Sequence, residues 1–378
     1  MTGISHFPLY IDRKKLFICL AMMFQYLNAS YSVLSYAARR YAAIPAAPPL
    51  PPAISVELSS RCNLSCPECV TGAGLIRRKH SFLSNDLASS VAARLRGRSL
   101  SAWLSFQGEP MLHPEFFTIL ALFRGLNPVI STNGHYLDAE NCLRLACSPL
   151  KKIIISYDGA TAETYGIYRR GGDHALVAEG IRQLSETVRE RRSKLKIVLQ
   201  FLVHRGNEHD ITAAAAFARS VGAGFRIKTM QVLDPARAGA WMPSDRRLAR
   251  YACGEEGSVR PAGNGSAQSA CGEEGSVRPA GNDSAQSVSG DEATMKPGGS
   301  PARGCMRMWT SSVITTDGDV VPCCYDKNGL HVMGNLENQT FPEIWRGEKY
   351  RSFRDKVMMS RSLLNICNGC PEGRRLFY

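Results

Sequence analysis

Between residues 53 and 230 the chain alternates short apolar runs rich in β-branched residues with longer stretches of helical periodicity. Parallel strands need long crossovers and helices supply them, so this alternation constrains the segment to βα units around a parallel sheet. Strands are predicted at 54–58, 102–106, 128–131, 152–157, 195–203 and 224–228, with helices at 85–95, 114–123, 139–146, 174–189 and 210–221. Six such units fit a doubly wound sheet or an incomplete barrel, and periodicity does not choose between them. In both, ligands bind at the C-terminal strand ends.

Composition narrows what surrounds this segment. The 378 residues are 44% hydrophobic and 21% charged, as in ordinary globular proteins, and no run of about 18 apolar residues could span a bilayer. No transmembrane segment is expected. The 46 Lys and Arg against 33 Asp and Glu give a net charge of +13. These cations are dispersed and not interleaved with aromatics, so nucleic acid is not an expected partner. Thirteen cysteines, an odd number, group as C-x3-C-x2-C near residue 62 and as close pairs near the C-terminus. That spacing suits metal or cluster ligation in a reducing compartment, and a cytoplasmic location is expected.

Four regions are predicted: an N-terminal helical extension and Pro-rich linker (1–52), the βα segment (53–235), a linker with an insertion (236–304) and a small cysteine-containing module (305–378). Arg13-Lys14-Lys15 and the apolar stretch after it resemble the start of a signal peptide superficially. A helix over 14–43, closed by the prolines of 45–52, is the preferred reading; it would pack on the following domain or on a membrane surface. In the insertion, residues 252–269 are repeated at 270–287 with one change, Gly265 against Asp283. From 252 to 304 there is no Leu, Ile, Phe, Tyr or Trp, so the segment cannot bury a core and is expected to be disordered.

Cys62, Cys66 and Cys69 directly follow the first predicted strand and offer three thiolates on one short loop. A four-iron cluster takes one ligand per iron, so three cysteines leave one iron open at the end of the sheet where ligands bind. The alternative is structural zinc, which wants four protein ligands and usually C-x2-C pairs. Cys142 and Cys147, five apart in a helical pattern, read as buried apolar residues, as does Cys19; Cys253 and Cys271 read as free thiols.

On these residues the sequence resembles the radical S-adenosylmethionine (radical SAM) superfamily, whose fingerprint is C-x3-C-x2-C after the first strand of a partial (β/α)6 barrel. The resemblance continues at the next strand ends. Gln107-Gly108-Glu109-Pro110 is similar to a Gly-Gly-Glu-Pro motif that binds the methionine amino group of SAM, with Gln where the first Gly is usual. Ser131-Thr-Asn133-Gly134 and Ser156-Tyr-Asp158-Gly159, followed by Arg169, look like the family's ribose and methionine-carboxylate elements. The resemblance implies a TIM-like partial barrel, a [4Fe–4S] cluster on Cys62, Cys66 and Cys69, and SAM held by Gln107, Gly108, Glu109, Pro110, Ser131, Asn133, Ser156, Asp158 and Arg169. It also implies reductive cleavage of SAM to a 5'-deoxyadenosyl radical that abstracts hydrogen from a substrate, with a donor such as flavodoxin or ferredoxin supplying the electron. No residue is assigned as a catalytic acid or base.

Cys305, Gly318-x4-Cys323, Gly334-Asn-Leu336, Glu343-Ile-Trp345 and Cys367-x2-Cys370 resemble the short SPASM or twitch-like α+β module. This implies one auxiliary [4Fe–4S] cluster on Cys305, Cys323, Cys367 and Cys370; a zinc ribbon on the same four residues is the alternative. In the hairpin predicted from strands at 309–316 and 319–324 around the turn Asp317-Gly318, alternation lets only one of Cys323 and Cys324 reach the cluster. The spacing favours Cys323, on a face with Val321 and, across the turn, Ile314; a bulge near Pro322 would reverse the choice. The resemblance implies a substrate that is a peptide, as for maturases, or a small molecule, as for dehydrogenases of related build. The competing class is a non-catalytic zinc or iron–sulfur protein that binds nucleic acid.

Overall fold

The computed structural model describes residues 13–44, 49–253, 259–260, 303–367, 370 and 372. After α1 (Arg13–Tyr41), strands β1 (Ala53–Val56), β2 (Ser101–Trp103), β3 (Val129–Thr132), β4 (Lys152–Ser156), β5 (Lys196–Val203) and β6 (Gly224–Thr229) lie side by side in chain order, all parallel. A doubly wound sheet reverses its strand order partway. The unbroken order is that of a partial barrel.

Helices α2 (Asn85–Leu95), α3 (Phe116–Leu122), α4 (Ala139–Cys147), α5 (Ala162–Tyr168), α6 (His174–Glu190) and α7 (Ile211–Ser220) fill the crossovers. Their starts are chemically marked: Ser84, Asp138 and Asp173 accept hydrogen bonds from the free N–H groups of the first turns of α2, α4 and α6. Helix α5 is absent from the sequence reading because seven residues hold too little period; it is fixed by a capping box between Thr161 and Thr164. Val56, Ile155, Phe201 and their same-face neighbours pack against the helices in one core. The alternate residues, Ser55, Glu57, Ser131, Ser156 and Gln200, line a polar lumen.

Beyond α8 (Ala238–Trp241), a two-residue ladder joins β7 (Ala252–Cys253) to β8 (Val259–Arg260) within the first repeat copy. The rest of the duplicated insertion, for which disorder is expected, lies outside the described residues. The C-terminal module then runs through α9 (Arg307–Thr310), β9 (Ser311–Ile314), β10 (Asp319–Val321), β11 (Gly334–Asn335), α10 (Phe341–Arg346) and α11 (Glu348–Met359). It joins the barrel's sheet: β9 runs parallel along the free edge of β1, giving the order β11-β10-β9-β1-β2-β3-β4-β5-β6. Two details differ from expectation. Trp309 lies in α9 and not in a strand. Ile314 pairs with Val320 and not with the face of Val321, and β10 stops at Val321 because Pro322 has no N–H to continue the ladder.

One buried ion pair ties these parts together. Glu57, fully buried at the end of β1, binds Arg78 through two hydrogen bonds of 2.7 and 2.8 Å. Its carboxylate also accepts from the backbone N–H of Gln107 after β2 and of Thr316 after β9. Arg78 in turn donates through Nε to the Lys327 carbonyl in the C-terminal module. Removing one partner of such a pair strands a buried charge. Arg78→Met is therefore expected to cost about 3–5 kcal/mol in urea unfolding, with part recovered when Glu57→Gln is added; an unchanged midpoint in Arg78→Met would show that the pair does not hold the joint.

Candidate functional site

The site is built on consecutive strand ends. Just past β1, the loop carrying Cys62, Cys66 and Cys69 folds over Leu64, Tyr168, Leu202, Met230 and Trp241, and Cys66 is buried in that cluster. Gly72 closes the loop against Cys66; a Cβ there would lie 2.5 Å from the Cys66 nitrogen.

After β2, Gly108 sits at φ +67°, and a Cβ would lie 2.5 Å from the carbonyl oxygens of Ser59 and Arg61. This second glycine of the motif is the one whose backbone needs freedom; Gln107 has ordinary φ, so its side chain is tolerated. Glu109 is locked by that turn, its N–H donating to the Arg61 carbonyl at 2.7 Å. Its carboxylate is almost fully buried and accepts from Met111 N–H (3.1 Å), the Thr132 hydroxyl (2.8 Å) and Asn133 N–H (2.7 Å). Burial nonetheless pushes the Glu109 carboxyl up to about 7, the hydrogen bonds opposing. Pro110 opens a short 3₁₀ turn capped by Glu109.

After β3, Asn133 Nδ2 donates to Asn63 Oδ1 at 2.7 Å and lies 3.9 Å from Cys62 Sγ, which fastens this strand end to the cysteine loop; Ser131 is tied through its backbone to the Ser105 hydroxyl. After β4, Asp158 is fully buried and receives Arg169 Nε at 2.6 Å and Leu202 N–H at 2.7 Å. Asp158 is thereby spent on orienting Arg169, whose Nη1 reaches 3.8 Å from Cys66 Sγ. Ser156 is buried at the same end of β4.

In the C-terminal module Cys305, Cys323, Cys367 and Cys370 are all buried. Cys367 faces Cys305 and Cys370, and Cys370 faces Cys305 and Cys324. Cys323 hydrogen-bonds its neighbour Cys324, which is half-buried with Arg307 Nη1 3.6 Å from its sulfur. Both lie past the end of β10, so strand alternation does not select between them. Arg361 faces Cys305, Cys367 and Cys370. Cys142 is buried as expected; Cys147 is not, because it ends α4 on the side away from Cys142 and Leu145. The side chains of Cys19, Cys253 and Cys271 lie outside the described residues. The sequence reading did not single out Glu57, Arg78, Asn63, Arg307 or Arg361. Glu57 alone carried a signal, an acid inside an otherwise apolar strand run.

Comparison with known proteins agrees with this geometry. Residues 56–218 match the Radical SAM superfamily and residues 305–371 the SPASM iron–sulfur cluster-binding domain, together more than half of the chain. The chain belongs to the radical SAM superfamily. Within it, the chain is of the type that carries a C-terminal SPASM domain. Similar proteins include mycofactocin maturase MftC of Mycobacterium ulcerans, 29% identical over 183 residues, 48% of this chain and 48% of that protein. PqqA peptide cyclase of Gluconobacter oxydans is 32% identical over 181 residues, 47% and 48% of the two chains. The chain thus spans about half the length of these two relatives. AdoMet-dependent heme synthase of Methanosarcina barkeri is 24% identical over 362 residues, 85% of this chain and 91% of that protein. Among solved structures, Streptococcus suis SuiB (TM-score 0.56, 15% identity, 92% of this chain and 75% of that one) and anSMEcpe with bound AdoMet (0.51, 16%, 81% and 84%) share the fold.

The family's cofactors are a [4Fe–4S] cluster that works with SAM and, in the C-terminal domain, an auxiliary iron–sulfur cluster, and the donor sets fit them. Burial pushes the Cys62 thiol up to about 11, Cys370 to about 11 and Cys367 to about 12. These sulfurs hold protons at neutral pH until a cationic centre ionises them. In the metal-free chain, alkylation by iodoacetamide should therefore strike exposed Cys147 ahead of the other described cysteines. Cys62, with a thiolate fraction of ~0.001 at pH 8, should lag and speed up as pH rises towards about 11. Mass spectrometry reads the order, and equal rates at Cys62 and Cys147 would contradict the burial described.

Proposed function

We propose that the chain reductively cleaves SAM at a cluster held by Cys62, Cys66 and Cys69 and uses the resulting radical to abstract hydrogen from a peptide substrate. The observation that carries this reading is the convergence of the cysteine loop with the Glu109–Asn133 and Asp158–Arg169 arrays at four consecutive strand ends. When bound, the cluster and SAM supply one-electron cleavage of a carbon–sulfur bond. Everything else falls to the protein. Glu109 Oε2 keeps a lone pair beyond its bond from Asn133 and suits an ammonium. Arg169, aimed by Asp158, presents its remaining N–H groups to a carboxylate beside Cys66. Gln107, Gly108 and Pro110 shape the turn that holds Glu109, while Ser131, Asn133 and Ser156 line the floor for a ribose. Cys305, Cys323, Cys367 and Cys370 hold the auxiliary cluster, with Arg307 and Arg361 placing positive charge beside its sulfurs. A flavodoxin- or ferredoxin-type donor supplies the electron, and the work is done in the cytoplasm.

The peptide is favoured by the similarity to a peptide cyclase and a maturase. A small-molecule substrate is the second reading, supported by the similarity to AdoMet-dependent heme synthase over 91% of that protein.

Two outcomes test the reading. The reconstituted protein should hold about eight irons, and replacing Cys62, Cys66 and Cys69 with Ala should remove about half of them and all formation of 5'-deoxyadenosine; cleavage that persists in the triple variant would end the proposal. Because the ionised form of Glu109 receives the ammonium, SAM affinity should fall as pH drops through about 7, where the carboxyl gains its proton. Glu109→Gln should bind more weakly and without that pH dependence, as measured by equilibrium SAM titration; a wild-type affinity flat across this range would remove Glu109 from the role.

A further inference from the structure

The inner face of the barrel carries positive charge that the SAM site does not use. Arg226 pairs in register with Gln200, and Lys228 with Leu202; Leu202 and Met230, next along the same face, pack with Cys66 under the cysteine loop. The opposite face, with Phe201 and Phe225, belongs to the helical core. Arg226 Nε donates to the neutral Gln200 Oε1 at 3.1 Å. Lys228, open to solvent in the lumen, faces Lys327, Cys324, Arg169 and Arg226. Lys327 donates to Gln231 Oε1 at 3.4 Å and faces Cys69 and Cys324.

The carboxylates nearby are already engaged. Glu57 is held by Arg78, Asp158 by Arg169, and Glu68, which faces Lys327, by Arg237 and the Leu233 N–H. Among the described residues, no ion pair satisfies Arg226, Lys228 or Lys327. Like charges gathered in a concave, low-dielectric space raise the local concentration of anions.

We propose that Arg226, Lys228 and Lys327 form a cationic seat in the lumen that receives the carboxylates of an anionic substrate beside the cysteine loop. This rests on the radical SAM reading and gives its substrate a chemical class: acidic side chains of a peptide, or a small polycarboxylate.

The test titrates the cluster-loaded, SAM-bound full chain with two probes, tricarballylate and a glutamate-rich peptide, each against its uncharged amide counterpart. The acids are expected to bind, more weakly as salt rises, and the amides not. Lys228→Gln and Arg226→Gln should each weaken acid binding about tenfold, and Lys228→Arg should retain it. Lys356→Gln, exposed on α11, controls for the general positive charge and should leave binding as in wild type. Preference for the peptide or for tricarballylate tells the two sources apart, and either supports the seat. Equal binding of acid and amide, or wild-type binding by Lys228→Gln, overturns it. So does a shift in cluster reduction potential in Lys228→Gln with acid binding unchanged, which would assign these cations to balancing cluster charge. A wild-type chain that holds its iron but does not bind SAM in the same titration would instead overturn the radical SAM reading.

A second, independent observation lies in α1, which from Met23 onward meets the protein through polar side chains and Tyr36 and leaves an apolar stripe facing out. Gln25 and Asn28 donate to the carbonyls of Ser99, Leu50 and Arg98, and Ser32 and Ser35 are buried. Phe24, Leu27, Tyr31 and Leu34, at spacings that form one stripe, are 58%, 56%, 51% and 64% exposed. The helix sequence opens with Arg13, Lys14 and Lys15 and contains no acid, Arg39 and Arg40 at its other end are engaged by Asp355 and Tyr36, and no helix among the described residues is long and apolar enough to cross a membrane. We infer that α1 lies flat on an anionic membrane surface with its stripe among the lipids, the basic opening of its sequence giving the preference for anionic lipid.

Co-sedimentation of the full chain should find it bound to vesicles containing phosphatidylglycerol and free of vesicles of phosphatidylcholine alone. The triple change Phe24→Ser, Leu27→Ser, Leu34→Ser touches only the outward stripe and should cut binding at least tenfold, a change of about 1.4 kcal/mol, with iron content retained. A chain that stays in solution with both vesicles overturns the inference, as does a dimer in solution that the triple change dissociates, which would give the stripe to a second copy.

Discussion

Strand β1 is paired on both edges, with β2 on one side and β9 on the other, and the rest of the molecule depends on that. A partial barrel leaves its first strand exposed along one edge, and an unpaired edge is a liability. Here the C-terminal domain covers it with a parallel strand, so the cysteine loop after β1 and the hairpin turn after β9 leave the same end of one sheet, and Cys323 follows the returning strand β10. Glu57 fixes the junction by engaging Arg78 and the backbone of both neighbouring strand ends. Two cysteine sets far apart in sequence are thus held by a common rigid element.

The second governing constraint is the cost of ionising sulfur inside a protein. Buried thiols resist losing their protons, and the irons of a cluster reverse that balance. Guanidinium groups sit beside the sulfurs in both sets, Arg169 near Cys66 and Arg361 facing Cys305, Cys367 and Cys370. The same low-dielectric setting raises the carboxyl of Glu109, so the site meets a ligand with an acceptor poised near neutral pH and already oriented by three hydrogen bonds. Such preorganisation limits the ordering that binding must impose.

Much of this was readable in the sequence because it is local. The βα alternation, the C-x3-C-x2-C loop and the strand-end motifs fall where the structure has strand ends. The junction was not readable. Pairing of β1 with β9 joins residues more than 250 positions apart, and nothing in either strand's pattern names its partner. Glu57 was visible only as an acid in an apolar run, since its meaning depends on Arg78 from a loop. The hairpin around Asp317-Gly318 was found, but the facing of its residues was not: Pro322 ends the strand one residue before Cys323, where alternation no longer applies. The inverted polarity of α1 was hidden for a similar reason. Its periodicity marks a stripe without saying which side meets the protein.

The claim on which the account turns is that Cys62, Cys66 and Cys69 leave one iron of a four-iron cluster open to SAM. Electron paramagnetic resonance of the reduced protein, with and without SAM, tests it most directly when performed on a variant lacking Cys305, Cys323, Cys367 and Cys370, so that one cluster remains. The account predicts a spectrum of a reduced four-iron cluster whose g-values shift when SAM is added. A cluster present at full occupancy whose spectrum is indifferent to SAM would contradict it.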